Sequence, residues 1–134
     1  MDDSQVGRIV IFILNNLLPI IDIQVDFAAG TAYESEGQAG VASLTRELVE
    51  LGVSGLDETQ IASRMADVGA QLSGDVDRDR ASIALRTLSM AEKRVPALEL
   101  LRAILSTPDF PAAVFEREKA RSVAVLKEAL TGPE

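Results

Sequence analysis

The sequence has no cysteine, no histidine and no tryptophan, and only one tyrosine. Each absence removes a class of chemistry. Without histidine or cysteine there is no Ser-His-Asp triad, no thiol nucleophile and no imidazole or thiolate metal site. Carboxylate acid/base work and an all-oxygen cation site are what remain. Aromatics are too sparse, at four Phe and one Tyr, to interleave with basic residues in a groove for single-stranded nucleic acid. Basic residues are in deficit, 13 against 21 acidic, and the net charge of -8 disfavours a phosphate backbone or an anionic lipid surface as partner. No window reaches the 18 apolar residues of a membrane span. The opening MDDSQVGR is acidic ahead of its first apolar run, unlike a secretory leader. The lack of cysteine does not fix the compartment.

What is present is ordinary for a folded chain. Of 134 residues, 47% are hydrophobic and 25% charged. That suits a single domain over residues 1–134, long enough to bury about two-thirds of its unfolded surface. Residues 7–14 (GRIVIFIL) are rich in β-branched side chains and read as a strand, with a turn at Asn15-Asn16. Residues 21–27 alternate strictly, Ile21, Ile23, Val25 and Phe27 against Asp22, Gln24 and Asp26, which is a half-solvated strand. The two runs pair as a hairpin.

A glycine-containing loop follows to Gly40. Val41, Leu44, Leu48 and Leu51 then recur at helical spacing, with Arg46, Glu47 and Glu50 facing away and Gly52 as the stop. Asp57 with Gln60 forms a capping box for a second helix over residues 58–68, ended by Gly69. Short and long strands are expected at 70–74 and 81–88, the latter with Ile83, Leu85 and Thr87 on one face. Ser89 with Glu92 reads as a second capping box. The helix it opens runs to about Leu105 on a stripe of Leu98, Leu101 and Leu105, with Pro96 tolerable only near its start. Pro111 suits the first turn of a last helix that turns Phe115, Val123, Leu126 and Leu130 inward and ends at Gly132-Pro133. The order ββααββαα predicts an α+β fold, a mainly antiparallel sheet with helices packed on one face.

Isolated motifs carry little chemistry. Asp75, Asp77 and Asp79 have the spacing that opens a calcium loop, but Arg80 stands where that loop needs glycine and Arg86 where it needs a bidentate glutamate. A solvated turn is the better reading. Glu34, Glu36, Glu116, Glu118 and Glu128 could supply a carboxylate pair, yet Glu116 and Glu118 do not share a helix face, and a charged solvent face accounts for them. The glycines at 37 and 40 lack the lysine and hydroxyl of a phosphate loop. Lys93 and Arg94, a compact basic spot, read as surface.

Six stretches taken in order resemble the pitrilysin/insulinase family of zinc peptidases: LPIIDIQVDFAAGTAYE, EGQAGVASLTRELVELGVSGLDE, VGAQLSG, SIALRTLS, ALELLRAILSTPDFP and FEREKARSVAVLKEA. The resemblance runs from about Gly7 to the C-terminus and implies the N-terminal part of the family's first domain. Active members carry His-x-x-Glu-His on the first helix. In register, Gly40 stands at the first His, Ser43 at the Glu base and Leu44 at the second His, and Glu128 falls roughly at the third ligand. A catalytic zinc needs three protein ligands. The resemblance therefore implies a non-catalytic member with no metal and no cofactor, and Leu44 is expected to fill the former metal pocket with core.

It further implies a partner: an active zinc-peptidase subunit, with which such members enclose a substrate chamber. A peptide substrate would add to the sheet edge at Leu72, Ser73 and Gly74, since strand addition uses backbone groups alone. A periplasmic setting fits the family. The chain is shorter than one complete family domain, with closing strands expected after Pro133. A bare, uncharged strand at residues 9–14 then implies self-association of the isolated chain as a two-fold dimer. Other readings are an independent acidic α+β module that binds a basic protein and, more weakly, a carboxylate-only metal hydrolase.

Overall fold

The computed structural model describes residues 8–12, by backbone alone, and 18–132. The expected turn at Asn15-Asn16, the strand ends at Gly7, Ile13 and Leu14, and Pro133 lie outside the described residues. In chain order the elements are β1 (Arg8–Phe12), β2 (Ile20–Phe27), α1 (Val41–Leu48), β3 (Gly52–Val53) and β4 (Leu56–Asp57). There follow α2 (Glu58–Asp67), β5 (Gln71–Ser73), β6 (Ala81–Leu88), α3 (Ala91–Ser106) and α4 (Ala112–Thr131). The fold is α+β. Its main sheet is antiparallel throughout, in the order β1-β2-β6-β5.

The alternation in β2 decides the layers. Ile21, Ile23 and Val25 lie opposite Thr87, Leu85 and Ile83 of β6, so both strands turn the same apolar face to the helices. Ile61 and Met65 of α2 and Ala97, Leu100, Leu101 and Ile104 of α3 close the core over that face. The other face is polar. There Asp22 and Arg86, directly opposite in register, form a two-pronged pair at 2.6 and 2.8 Å. The expected cap of α2 is present in full: the Asp57 carboxylate accepts from the Gln60 N–H, and the Gln60 amide oxygen accepts from the Asp57 N–H.

Four local expectations fail, each for a traceable reason. First, α1 ends at Leu48, and Gly52, expected as its stop, is a buried strand residue. Ser54 and Gly55 both have positive φ, the two-residue turn that suits a tight hairpin. Strands of two residues are too short to leave a periodic signal. Second, Ser89 and Glu92 form no capping box. Met90 is the N-cap and offers no side-chain bond, while the Ser89 N–H donates to the Pro19 carbonyl at 2.7 Å. Third, the inward stripe of α3 is Ala97, Leu100, Leu101 and Ile104, while Leu98 is exposed and Leu105 half-buried. A leucine stripe misses the small Ala97, which belongs to the seam. Pro96 lies in the second turn of α3, on its exposed side. Fourth, Val123, Leu126 and Leu130 of α4 are exposed, Leu130 at 86%, and Phe115 is half-buried.

Arg46 corrects the first helix again. Expected to face away, its side chain is only 10% exposed. Its Nε donates to the Ser82 carbonyl at 2.8 Å, and its other nitrogens reach the Ser73 carbonyl at 2.6 Å and Glu50 at 3.1 Å. One guanidinium thus ties α1 to the ends of β5 and β6. Gly74 makes room for it. Its φ is +142°, and a Cβ there would lie 2.1 Å from the Ser82 carbonyl oxygen and 2.8 Å from the Arg46 guanidinium. Gly74→Ala should therefore cost about 2–4 kcal/mol, combining backbone strain and overpacking. An unchanged urea midpoint would show that this corner relaxes freely.

Candidate functional site

The first turn of α1 is built from outside the helix. Gly40 is the N-cap, with φ +92° and no side chain to cap with. Glu34, from the preceding loop, does this instead. Its carboxylate accepts from the Gly40 N–H at 3.2 Å and the Ala42 N–H at 2.9 Å, satisfying donors the helix leaves free. The capping carboxylate is six to eight residues away, beyond the local capping patterns, so the sequence alone did not single it out.

Gly40, Ser43 and Leu44 line a cavity of about 760 Å³ between α1 and α4, together with Glu47, Leu51, Glu58, Glu118, Arg121 and Leu126. Leu44 is half-buried there and stands outside the hydrophobic core cluster. The expectation that it fills a metal pocket with core is thus corrected. The inward residue of α1 is Leu48, 3% exposed. The expected residual carboxylate is corrected as well. Glu128 is exposed in the last turns of α4 and does not line this cavity, whereas Glu118 does.

Glu118 is the one buried residue of α4 among those described. A buried carboxylate needs a counter-charge, and arginine supplies it. Arg117 Nε donates to Glu118 at 2.8 Å, and Arg121 stands 3.8 Å from its other oxygen. Arg117 also forks onto Glu58 at the start of α2, with both contacts at 2.8 Å. That hydrogen bonding holds the Glu58 carboxyl below its ordinary range and pushes the Arg117 guanidinium up.

The donor set does not fit a zinc ion. Gly40 has no side chain, Ser43 a neutral hydroxyl, Leu44 a hydrocarbon, and Glu118 is already committed to guanidinium. Among the described residues no three His, Cys, Asp or Glu side chains converge on a possible metal position. Position 40 is further strained against any replacement, because its φ is left-handed.

The other marked residues disperse. Asp77 closes its own turn by accepting from the Asp79 and Arg80 N–H groups, both at 2.8 Å, and Asp75 accepts from the Ser82 hydroxyl at 2.7 Å. Lys93 donates to the Asp67 carbonyl and Arg94 to the Ser89 carbonyl. Glu36 and Glu116 are exposed. Leu72, Ser73 and Gly74 lie on and just after β5, the outer strand of the sheet, which among the described residues pairs with β6 alone. Leu72 is half-buried and the other two exposed.

Two measurements follow. Leu48→Ala should cost about 2–5 kcal/mol and Leu44→Ala about 1 kcal/mol, by their burial; equal shifts in urea midpoint would restore Leu44 to the core. Arg117→Gln should lower the melting temperature at pH 7. Glu58 is depressed in the folded state, so its pair stabilises above its unfolded pKa and is lost as pH falls through the folded value. The gap from the unsubstituted protein should therefore narrow below about pH 4, and a gap that is constant down to pH 3 would refute the pairing.

No family model matches the chain. A search of curated proteins finds the non-peptidase homolog YmxG of Helicobacter pylori (strain ATCC 700392 / 26695), 26% identical over 117 residues. Those residues are 87% of this chain and 27% of that protein. Among solved structures the fold is similar to the crystal structure of a peptidase M16 inactive domain from Pseudomonas fluorescens, with a TM-score of 0.80 and 36% sequence identity. The match covers 87% of this chain and 28% of that one, so the chain spans about a quarter of the length of these relatives. Over 87% of its length the chain is thus similar in fold, order of elements and sequence to an inactive domain of the pitrilysin/insulinase-like (peptidase M16) family.

Proposed function

We propose that this domain serves an active zinc peptidase of the same family as a non-catalytic partner that helps to enclose its substrate. The observation that carries the reading is the state of α1. The scaffold is kept at a TM-score of 0.80 to an inactive domain, while the helix that bears the metal motif in active members presents Gly40, Ser43 and Leu44. Hydrolysis by this family needs a metal-activated water, and these side chains neither hold a metal nor act as a base. Binding does not need them. An extended peptide laid along β5 would use backbone hydrogen bonds, with Leu72, Ser73 and Gly74 as its contacts. Held there, the peptide is presented to the partner's metal at a raised effective concentration.

The test pairs this protein with a family subunit that carries an intact His-x-x-Glu-His. The protein alone should hold less than stoichiometric zinc after dialysis and cleave no peptide. Added to the active subunit, it should raise kcat/KM for an extended peptide about tenfold or more, saturably. A tightly held zinc with hydrolysis by the protein alone would overturn the non-catalytic role, and an unchanged kcat/KM would overturn the partner role.

A further inference from the structure

The hydrogen bonds at the two ends of β6 show which backbone groups of β5 face outward. Successive residues of an antiparallel strand point their N–H and C=O to alternate sides. Just past β6, the Ser89 N–H donates to the Pro19 carbonyl, on the side of β2. The Ser82 N–H donates to the Asp75 carbonyl at 2.8 Å, on the side of β5. Odd-numbered residues of β6 therefore serve β2 and even-numbered ones serve β5. Ala84 and Arg86 lie opposite Ser73 and Gln71. The backbones of Ser73 and Gln71 are thus used within the sheet, and that of Leu72 points out of it.

The outward positions on either side of Leu72 are taken or bent. The Ala70 N–H donates to the Met65 carbonyl at the end of α2, at 2.9 Å. On the other side Arg46 interrupts the ladder. Its Nε holds the Ser82 carbonyl at 2.8 Å, and the Asp75 N–H turns to the Ser82 hydroxyl at 3.1 Å instead. Gly74 leaves the strand with φ +142°. Leu72 alone, in the middle of the three-residue strand, offers its N–H and C=O together in regular strand geometry. Its side chain is half-buried and packs against the core, opposite Leu85. A residue paired with Leu72 shares that face, so its side chain lies beside that of Leu72.

We propose that Leu72 is the anchor of the edge, and that it selects extended peptides with an apolar residue whose amide N–H is free at the paired position. The inference rests on the reading of β5 as a peptide-binding edge, and it names the class of peptide that edge takes. Antiparallel pairing suits so short a contact, because both hydrogen bonds then go to one peptide residue. Proline at that residue is excluded, since it has no N–H to give.

The experiment titrates three acetylated, amidated pentapeptides into the isotope-labelled chain and follows amide exchange by NMR. Serine and threonine flank a central leucine, a central serine or a central N-methylated leucine. In the free chain the Leu72 amide should exchange about tenfold faster than those of Gln71 and Ser73, which are bonded in the ladder. The leucine peptide should slow exchange at Leu72. It should bind about threefold tighter than the serine peptide, and N-methylation should weaken it about tenfold. Leu72→Pro should fold, because an edge strand tolerates proline where its N–H faces outward, and should lose binding. Leu72→Ala, which keeps the backbone groups, should still bind the leucine peptide and lose the preference over serine, and it carries the test if the proline variant does not fold. Slower exchange at Leu72 than at Ser73 in the free chain, or equal binding of the N-methylated peptide, would overturn the anchor, while peptide-dependent protection elsewhere on β5 would leave the edge standing. Unchanged exchange at every β5 amide under millimolar leucine peptide would overturn the edge reading and this proposal with it.

Discussion

The eight-residue antiparallel register between β2 and β6 is the constraint on which the other features rest. A slip of one residue would send Ile23, Val25, Ile83 and Leu85 to the water side and bring Asp22 and Arg86 into the core. With the register in place, one face of the sheet is apolar and receives the helices. The other carries Asp22 and Arg86 as a pair across the strands. The register also sets where the strands end. Ser82 and Ser73 present their carbonyls within reach of a single arginine on α1, and the helix is thereby positioned against the corner of the sheet.

Arginine does most of the long-range polar work in this acidic chain. Arg86 bridges β2 and β6, Arg46 joins α1 to two strands, and Arg117 joins α4 to α2 while neutralising Glu118. In each case the forked, permanently charged group satisfies two acceptors at once, which a lysine could not match in geometry. In the cavity between α1 and α4 this has a chemical consequence. The carboxylate that faces the first helix is held by guanidinium, so Glu118 already has its counter-charge from Arg117 and Arg121.

Strongly periodic elements were legible. The alternation of β2, the pairing faces of β6 and the capping box of α2 follow from local rules, and the structure reproduces them. The failures share one cause, reliance on residue type where geometry decides. Leu98 and Leu105 look like core by residue type, but the seam of α3 is set by which side meets β6 and runs through Ala97 and Ile104. Arg46 reads as a water-facing charge by residue type, but its length lets it cross the end of the sheet.

The sequence by itself determined the class of fold, the order of the long elements and the lack of any imidazole or thiolate ligand. Those depend on residue identity and on periods of two or about 3.6, which need no knowledge of the rest of the chain. Only the tertiary structure decided which carboxylate faces Gly40, Ser43 and Leu44. Glu118 and Glu128 lie ten residues apart on one helix, and nothing local separates them. The packing of α4 against α1 buries one and leaves the other in water. The same holds for Leu44, whose half-buried state follows from the cavity left between those helices and not from its place in an apolar stripe.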